Sequence, residues 1–445
     1  MALTQYYVDP GAGTDHEGSA FVDGGFANAT NTLTKIAAFA SAVAADKLYL
    51  TDNGSAEVTP GMYTISSVTD NDNVVLTADI RSGANDPTDV VCTQGTGAVG
   101  APWATVQHAL DNITRDATNG DQINIKAGTS EILAATLSLA TYGAPADTAP
   151  LVIRGYTSAA NDGGQGVIDG DGSYSVYATA TDYFHWRDMR CTNVGAASPI
   201  LYVGSFSSLM NIEADTASGV YGLRAGDYSI ICGCYVHSNT CQRGIAADSN
   251  CLIVGNFVIH SMNYADSCGI YGFRCAILNN IVKVTVAAGS GIQQWGYYCS
   301  IVGNSVSGSS GTGAGIWASS TPAKAIMNNI INGFSGVGGR GIDLNSATVQ
   351  FYVGNAFYNC TTPEANKGLC IVEYNNDELA ALPFVDPSNN DFTIDGTQAG
   401  ATEDAWPAAF LGAASTVNLA DKGAVQAGAG TAGGGMPILM GSVVR

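Results

Sequence analysis

Positive charge is scarce in this chain. Its 17 lysines and arginines face 38 acidic residues, for a net charge of −21, which repels nucleic acid and anionic membrane alike. Neutral glycans, cations and other proteins remain as partner classes. Long apolar runs are missing too: the stretch from Ile36 to Ala45 is far too short to span a bilayer. Met1 to Tyr6 has neither a basic head nor an apolar core, so no secretory leader is visible and synthesis in a cytoplasm is expected. Five histidines argue against a metal centre built from imidazoles. The 11 cysteines are odd in number and lack paired spacing, unlike a secreted disulfide framework.

What is abundant is glycine, 55 residues, beside 46% hydrophobic residues. That balance predicts a large core with many tight turns and few solvated helices. Self-similarity then sets the fold. Six segments align without gaps: Ser229 to Val236, Cys251 to Val258, Cys275 to Val282, Cys299 to Val306, Lys324 to Ile331 and Gln350 to Phe357, with a weaker copy at Phe206 to Glu213. The phrase returns every 22–26 residues. A second phrase, glycine followed by an aliphatic residue, runs in phase at 219, 244, 269, 291, 315, 341 and 368.

Such a period suits a coil of short strands, each coil about 4.8 Å above the last. The predicted fold class is all-β, a right-handed parallel β-helix. Ile231, Ile253, Ile277, Ile301 and Ile326 should form one inward column and Val236, Val258, Val282 and Val306 another. Asn256, Asn280, Asn304, Asn329 and Asn355 should form a structural ladder at a turn, with a left-handed backbone at Asn and amides bonded from rung to rung. Cys251, Cys275 and Cys299 should stack inward as buried thiols.

Both ends carry further phrases. Tyr6 to Gly11, Pro102 to Leu110 and Gly120 to Gly128 at the entry, with Phe384 to Pro387, Asn390 to Phe392 and Asp421 to Gln426 at the exit, resemble pectate-lyase-like right-handed β-helices. The resemblance implies an entry with a capping helix over 1–19 and 99–150, the helix itself spanning Trp103 to Ile113. It departs from the family pattern at 20–98, read as a small inserted β domain for subunit contact. Coils over 151–376, an exit segment over 377–426 and a Gly-rich tail over 427–445 complete the expected organisation. The tail's apolar tip, Met436, Ile438, Leu439 and Met440, is a candidate assembly element.

Members of that group include polysaccharide lyases, glycoside hydrolases and virion proteins, so the site must choose among them. A hydrolase needs two carboxylates on one groove, whereas Asp188, Glu213, Asp215, Asp248 and Asp343 are expected in different columns. No catalytic residue, cofactor or metal is assigned. Asp9 to Asp15 loosely resembles a Ca²⁺ loop but lacks a terminal bidentate Glu. Asp215, His237, His260 and Lys283, each just after the Asn turn, form a candidate polar cluster. Tyr221, Tyr271, Gln293, Trp317 and Asp343, each just after the Gly phrase, form a candidate outward stripe for glycan stacking or a subunit interface. The expected function is a non-enzymatic virion structural protein of a phage, a spike, fibre or capsid-decorating subunit. It would be made in the host cytoplasm, assemble as a homo-oligomer, a trimer, with other virion proteins, and bind a neutral or cell-surface glycan. The alternatives are a polysaccharide lyase or glycoside hydrolase, and a cell-surface or filament-forming protein.

Overall fold

A computed structural model describes residues 3–11, 21–35, 47–52, 57–59, 61–82, 86–88, 90–93, 102–195, 199–215, 219–239, 241–264, 266–309, 312–319, 324–345, 348–374 and 376–394. The apolar tip (Met436, Ile438, Leu439 and Met440) and the exit phrase from Asp421 to Gln426 lie outside the described residues. The chain divides into two compact units, one of 1–132 with 137–168 and one of 133–136 with the chain from Asp169 onward. Among the described residues no helix is long and apolar enough to cross a membrane.

In the first unit, strand Thr4–Val8 runs parallel to Asp121–Lys126, which pairs on its other edge with Leu151–Tyr156. The expected helix from Trp103 to Ile113 is shorter, Val106–Asn112. Thr105 and Ile113 are both extended, and the Thr105 side chain accepts the amide of His108, closing the first turn. Glu131 accepts the Val106 amide on both carboxylate oxygens, at 3.0 Å each. Trp103 stays outside the helix and stacks on Tyr6, ring centroids 5.6 Å apart. Asp9 is buried, ion-paired with Lys126 at 2.9 Å, and accepts the Gly11 amide, so this aspartate serves a turn. Phe21–Ala27, Thr32–Thr34, Lys47–Asp52, Gly61–Asp70, Asn73–Leu76 and Val90–Thr93 close an antiparallel barrel. Leu33, Leu48, Leu50, Ile65 and Val74 fill its core.

The second unit is a parallel β-solenoid; the structure has about eight solenoid turns. Three strand rows recur. The first row contains Ile230–Cys232, Leu252–Val254, Ala276–Leu278 and Cys299–Val302; the second contains Tyr235–Asn239, Phe257–His260, Ile281–Val284 and Ser305–Gly308. The third row is an eight-stranded sheet from Leu201–Val203 to Thr362–Ala365. The predicted isoleucine column is in register from Ile231 to Ile326, and the valine column from Val236 to Val306 continues into Ile331 and Phe357. Leu223, Ile245, Ile270, Ile292, Ile316 and Ile342 supply a third buried column from the eight-stranded sheet.

The repeated glycine beside that column answers to space. A Cβ on Gly291 would sit 2.3 Å from Val306 Cγ1 and 2.5 Å from the Gly315 carbonyl. The valine column and the next rung leave no room for a side chain.

The asparagine ladder is continuous and buried. Asn256, Asn280, Asn304 and Asn329 each donate their backbone and side-chain N–H to the Oδ1 of the next asparagine, at 2.9–3.2 Å. Their Nδ2 groups also reach a carbonyl one rung back, as Asn304 does to Ile277. The ladder runs one rung further than expected, from Asn355 to Asn376. The left-handed residue is the one before each ladder position, Gly255, Asn279, Gly303, Asn328 and Gly354, and not the ladder asparagine. The turn bends at that position, which glycine and asparagine tolerate best, and so aims the following amide inward. The copy at Phe206 to Glu213 is one residue out of register. Asn211 lies opposite the bend at Gly233, and Ile212 takes the ladder position beside Cys234.

Cys251, Cys275 and Cys299 are free, buried and stacked. Burial pushes the Cys299 thiol up. Lys324 ends this column opposite Cys299 and is only 1% exposed. Its Nζ donates to the Ser319 carbonyl at 2.6 Å and hydroxyl at 3.1 Å, and burial brings its pKa down to about 8.

Candidate functional site

The outer face of the eight-stranded sheet is where the expected stripe falls. Tyr271, Gln293, Trp317 and Asp343 are in register on four successive rungs. Tyr221 does not share their column. Leu223 pairs with Ile245, so the glycine–aliphatic phrase of that rung is Gly222-Leu223 rather than Gly219-Val220, and Arg224 follows it. The seventh copy, Gly368-Leu369, also falls away, because Ile342 pairs with Glu364 and Leu369 is exposed. Asp343 is buried, ion-paired with Arg340, and accepts from the Asn345 amide and the Asn366 side chain at 2.9 Å each. It therefore holds a turn rather than facing outward.

Tyr221 instead joins an alternating stack of rings and guanidinium groups. Arg224 lies 4.6 Å from the ring of Tyr202 and 4.7 Å from that of Tyr221. Arg243 lies 5.6 Å from Tyr221 and 3.7 Å from Tyr271. Each such contact is worth about 0.5–2 kcal/mol according to its desolvation. Arg224 is also paired with Asp248 at 3.2 Å. Neither arginine was marked by the repeat, because each occupies an outward position that changes identity from rung to rung.

Further along this face is an open groove of about 310 Å³, lined by Asp266, Gln293, Trp295, Thr312, Trp317 and Arg340 among others. That is at the small end of the range for ligand sites. The rings of Trp295 and Trp317 are 4.9 Å apart and tilted by 46°. Trp295, 44% exposed, extends the floor toward solvent, and Gln293, Thr312, Asp266 and Arg340 ring it with donors and acceptors. Trp295 escaped sequence reading because it stands two residues past the stripe position; its signal was an apolar ring at an outward site of a regular strand.

The four residues of the polar cluster do not converge. Asp215 and His237 are partners across adjacent strands. His260 stands four residues after its ladder asparagine where Lys283 stands three, so strand alternation turns it inward beside Val284, where it is fully buried against the Ser267 hydroxyl at 3.0 Å and burial lowers its pKa to about 4. Lys283 reaches the C-terminal hairpin, donating to the Ser388 carbonyl and Asn390 Oδ1 at 2.7 Å each. Two residues absent from the expected cluster complete the remaining pair. Glu213 lies 3.2 Å from His237, and Arg190 bridges Glu213 at 3.3 Å and Asp215 at 3.1 Å. Glu213 and Asp215, expected in different columns, share one side of strand Ser208–Asp215 because they are two residues apart. One oxygen from each carboxylate and a His237 nitrogen lie within 4.8 Å of one another. This is the geometry of a three-ligand cation site, yet the Arg190 guanidinium already bridges both carboxylates and offsets one of their two charges.

No model of a known family matches the chain, and no curated protein is similar to it.

Proposed function

We propose that this protein is a non-enzymatic structural β-solenoid that holds a saccharide in the Trp295–Trp317 groove. The observation that carries the reading is the pairing of two indole rings with a polar rim on a rigid, regularly spaced sheet. Apolar sugar faces stack on such rings while their hydroxyls bond to groups like Gln293 and Thr312. Asp266 is the one carboxylate among the described lining residues, whereas acid–base glycoside cleavage uses two. The setting we propose is a virion, as a spike, fibre or capsid-decorating subunit that assembles with copies of itself. That part rests on the resemblance of the entry and exit phrases to pectate-lyase-like helices. A glycan array probed with the full chain tests the reading: retention that Trp295→Ala and Trp317→Ala abolish supports it, and absence of retention on any glycan sinks it. Electron microscopy of the purified chain tests assembly, with dispersed monomers as the contrary result.

The second reading, a polysaccharide lyase or hydrolase, draws on the Arg190, Glu213, Asp215 and His237 cluster, which brings candidate acid and base groups together. New reducing or unsaturated ends that appear with the wild-type chain and vanish with Glu213→Gln would favour it over the first.

A further inference from the structure

Inside the solenoid a second column of side chains takes up backbone amides, as the asparagine ladder does. Ser207, Ser229, Cys251, Cys275 and Cys299 occupy one inward position on successive rungs, and Lys324 follows them. The Ser229 hydroxyl accepts the Ser207 amide at 3.1 Å, and the Cys251 sulfur accepts the Ser229 amide at 3.4 Å. The Cys275 and Cys299 sulfurs take the amides of Cys251 and Cys275 in the same way, and the Gln294 side chain also donates to Cys299. The Cys251 and Cys275 sulfurs lie within hydrogen-bonding reach of each other. Serine meets the structural need of this position on the rungs of Ser207 and Ser229, so the coil does not require sulfur there. Three consecutive thiols add what serine lacks, a soft ligand for a metal ion.

We infer that Cys251, Cys275 and Cys299 form a site for a soft monovalent cation, copper(I), with one ion held in line between each neighbouring pair of thiolates. Zinc takes four converging ligands, which a straight column does not supply, whereas a two-coordinate ion needs only two opposed sulfurs. Two metal–thiolate bonds of about 2.3 Å laid end to end span about 4.6 Å, which matches the rung spacing of about 4.8 Å. Amide N–H groups aimed at each sulfur favour the thiolate form that binds metal. Binding releases the three thiol protons. Cys251 and Cys275 give theirs to the Gly226 and Asp248 carbonyls at 3.0 Å each, and S–H is a weak donor, so little is lost. Two monovalent ions on three thiolates leave one negative charge, which the buried Lys324 ammonium at the end of the column offsets. Each cysteine directly follows a left-handed corner residue, Asn250, Arg274 or Tyr298, and Tyr298 is 84% exposed, so entry from solvent crosses a single residue.

The cysteine column is independent of the Trp295–Trp317 groove, and so is its test. Full-length protein is titrated anaerobically with copper(I) in competition with bicinchoninate, and the bound fraction is read from the colour of the chelator. The wild-type chain should hold copper(I) about a hundredfold more tightly than Cys275→Ser, which removes the sulfur shared by both ions. Cys251→Ser and Cys299→Ser should each lose one ion and keep the other. Cys360→Ser and Cys370→Ser, at the two least buried thiols, should change nothing. Serine already stands in this column, so the ladder variants should fold, and circular dichroism checks that they do. Should Cys275→Ser fail to fold, Cys251→Ser and Cys299→Ser carry the test through the loss of one ion each. X-ray absorption at the copper edge should show two sulfur neighbours for each ion. Failure to retain copper(I) against the chelator, retention that survives the ladder variants, or loss with Cys360→Ser or Cys370→Ser overturns the inference. Three or more sulfur neighbours per ion overturns it as well, because a straight column cannot supply them.

Discussion

Two outer faces of the same coil are built to opposite ends. On the second strand row the outward column is Tyr235, Phe257, Ile281, Ser305, Ile330 and Ala356. It is apolar apart from Ser305, and the antiparallel hairpin of Phe384–Asp386 and Asp391–Ile394 covers it, with Phe392 against Phe257 and Phe384. On the eight-stranded sheet the corresponding surface carries tyrosine, arginine and tryptophan, with Trp295 open to solvent. One face is apolar and is closed by the chain's own exit segment. The other combines apolar rings with charge, a composition that stays soluble while remaining able to bind. Both stand on one interior, so changes inside should move the two faces together and changes outside should move only one.

The largest effect is expected from the interior. Asn304→Leu strips the Asn280 amide and side chain of their shared acceptor and leaves the Ile277 carbonyl and Asn329 Oδ1 short of donors. Several buried groups unsatisfied at once should cost about 4 kcal/mol. Urea denaturation followed by both far-ultraviolet dichroism and Trp295 fluorescence should show one cooperative loss; separate transitions would mean the faces do not share an interior.

Lys324 should come next. Its folded pKa of about 8 lies below the ordinary 10.5, so between these values the unfolded chain holds more protons than the folded one. Stability from this group therefore rises as pH climbs from 8 to 10.5, by about 3 kcal/mol, and the full burial cost applies below pH 8. Buried thiols such as Cys234, raised to about 12, work in the opposite direction over the same window. The informative quantity is thus the difference between the wild-type chain and Lys324→Met, measured by denaturation at pH 7, 9 and 10.5. The variant's advantage at pH 7 should fade as pH rises, and a constant difference would contradict a desolvated ammonium.

The interior was the legible part of this molecule. Isoleucine, valine and asparagine columns repeat because stacking puts one residue type in one environment on every rung, and the sequence phrase is that environment written out. The phrase is ambiguous where two residue types fit one slot, or one rung carries the phrase twice. The bend accepts Gly or Asn, so the weaker copy at Phe206 to Glu213 aligns on Asn211 one residue out of register, while the rung of Asn376 repeats in sequence the Asn-Asn pair of Asn279-Asn280 and Asn328-Asn329. The rung of Gly219-Val220 holds a second glycine–aliphatic pair, Gly222-Leu223, and only the pairing of Leu223 with Ile245 chooses between them, which displaces Tyr221. The candidate sites were less legible because outward positions carry no stacking constraint. Nothing periodic marks Trp295, Arg190 or Arg243, whereas the inward side of His260 follows from its spacing of four residues after Asn256 against three for Lys283 after Asn280. The hairpin over the second row is a contact between segments more than a hundred residues apart, as between Lys283 and Ser388, beyond the reach of any local pattern.

Stripping the covered face should cost less than breaking the interior. Phe392→Ala removes a buried ring that touches Phe257 and Phe384, and truncations of this kind typically cost about 3 kcal/mol. The hairpin can detach without unfolding the coil, so the loss of global stability should be nearer 2 kcal/mol. Hydrogen exchange should then rise along the second row and stay unchanged across the eight-stranded sheet. Exchange that rises equally on both would erase the distinction between the faces.

The smallest expected effect concerns the corner between the bare sheet and the first row. Tyr183, Phe206 and Tyr228 stack there with centroids 5.3 and 5.2 Å apart and planes within 9° of parallel. All three have a left-handed backbone, φ 55–56°, which costs a bulky residue about 1 kcal/mol or more. Ring stacking returns about 0.5–1.5 kcal/mol per pair, so the two contributions nearly cancel. Asn250 adopts the same backbone one rung on, which shows what the corner takes without strain. Tyr228→Asn should therefore change stability by less than about 1 kcal/mol in thermal denaturation. A loss of about 2 kcal/mol or more would mean that the aromatic corner, like the hairpin, belongs to the structural side of the molecule. A near-zero change would place it with the bare face, where the rings are not needed to hold the coil together.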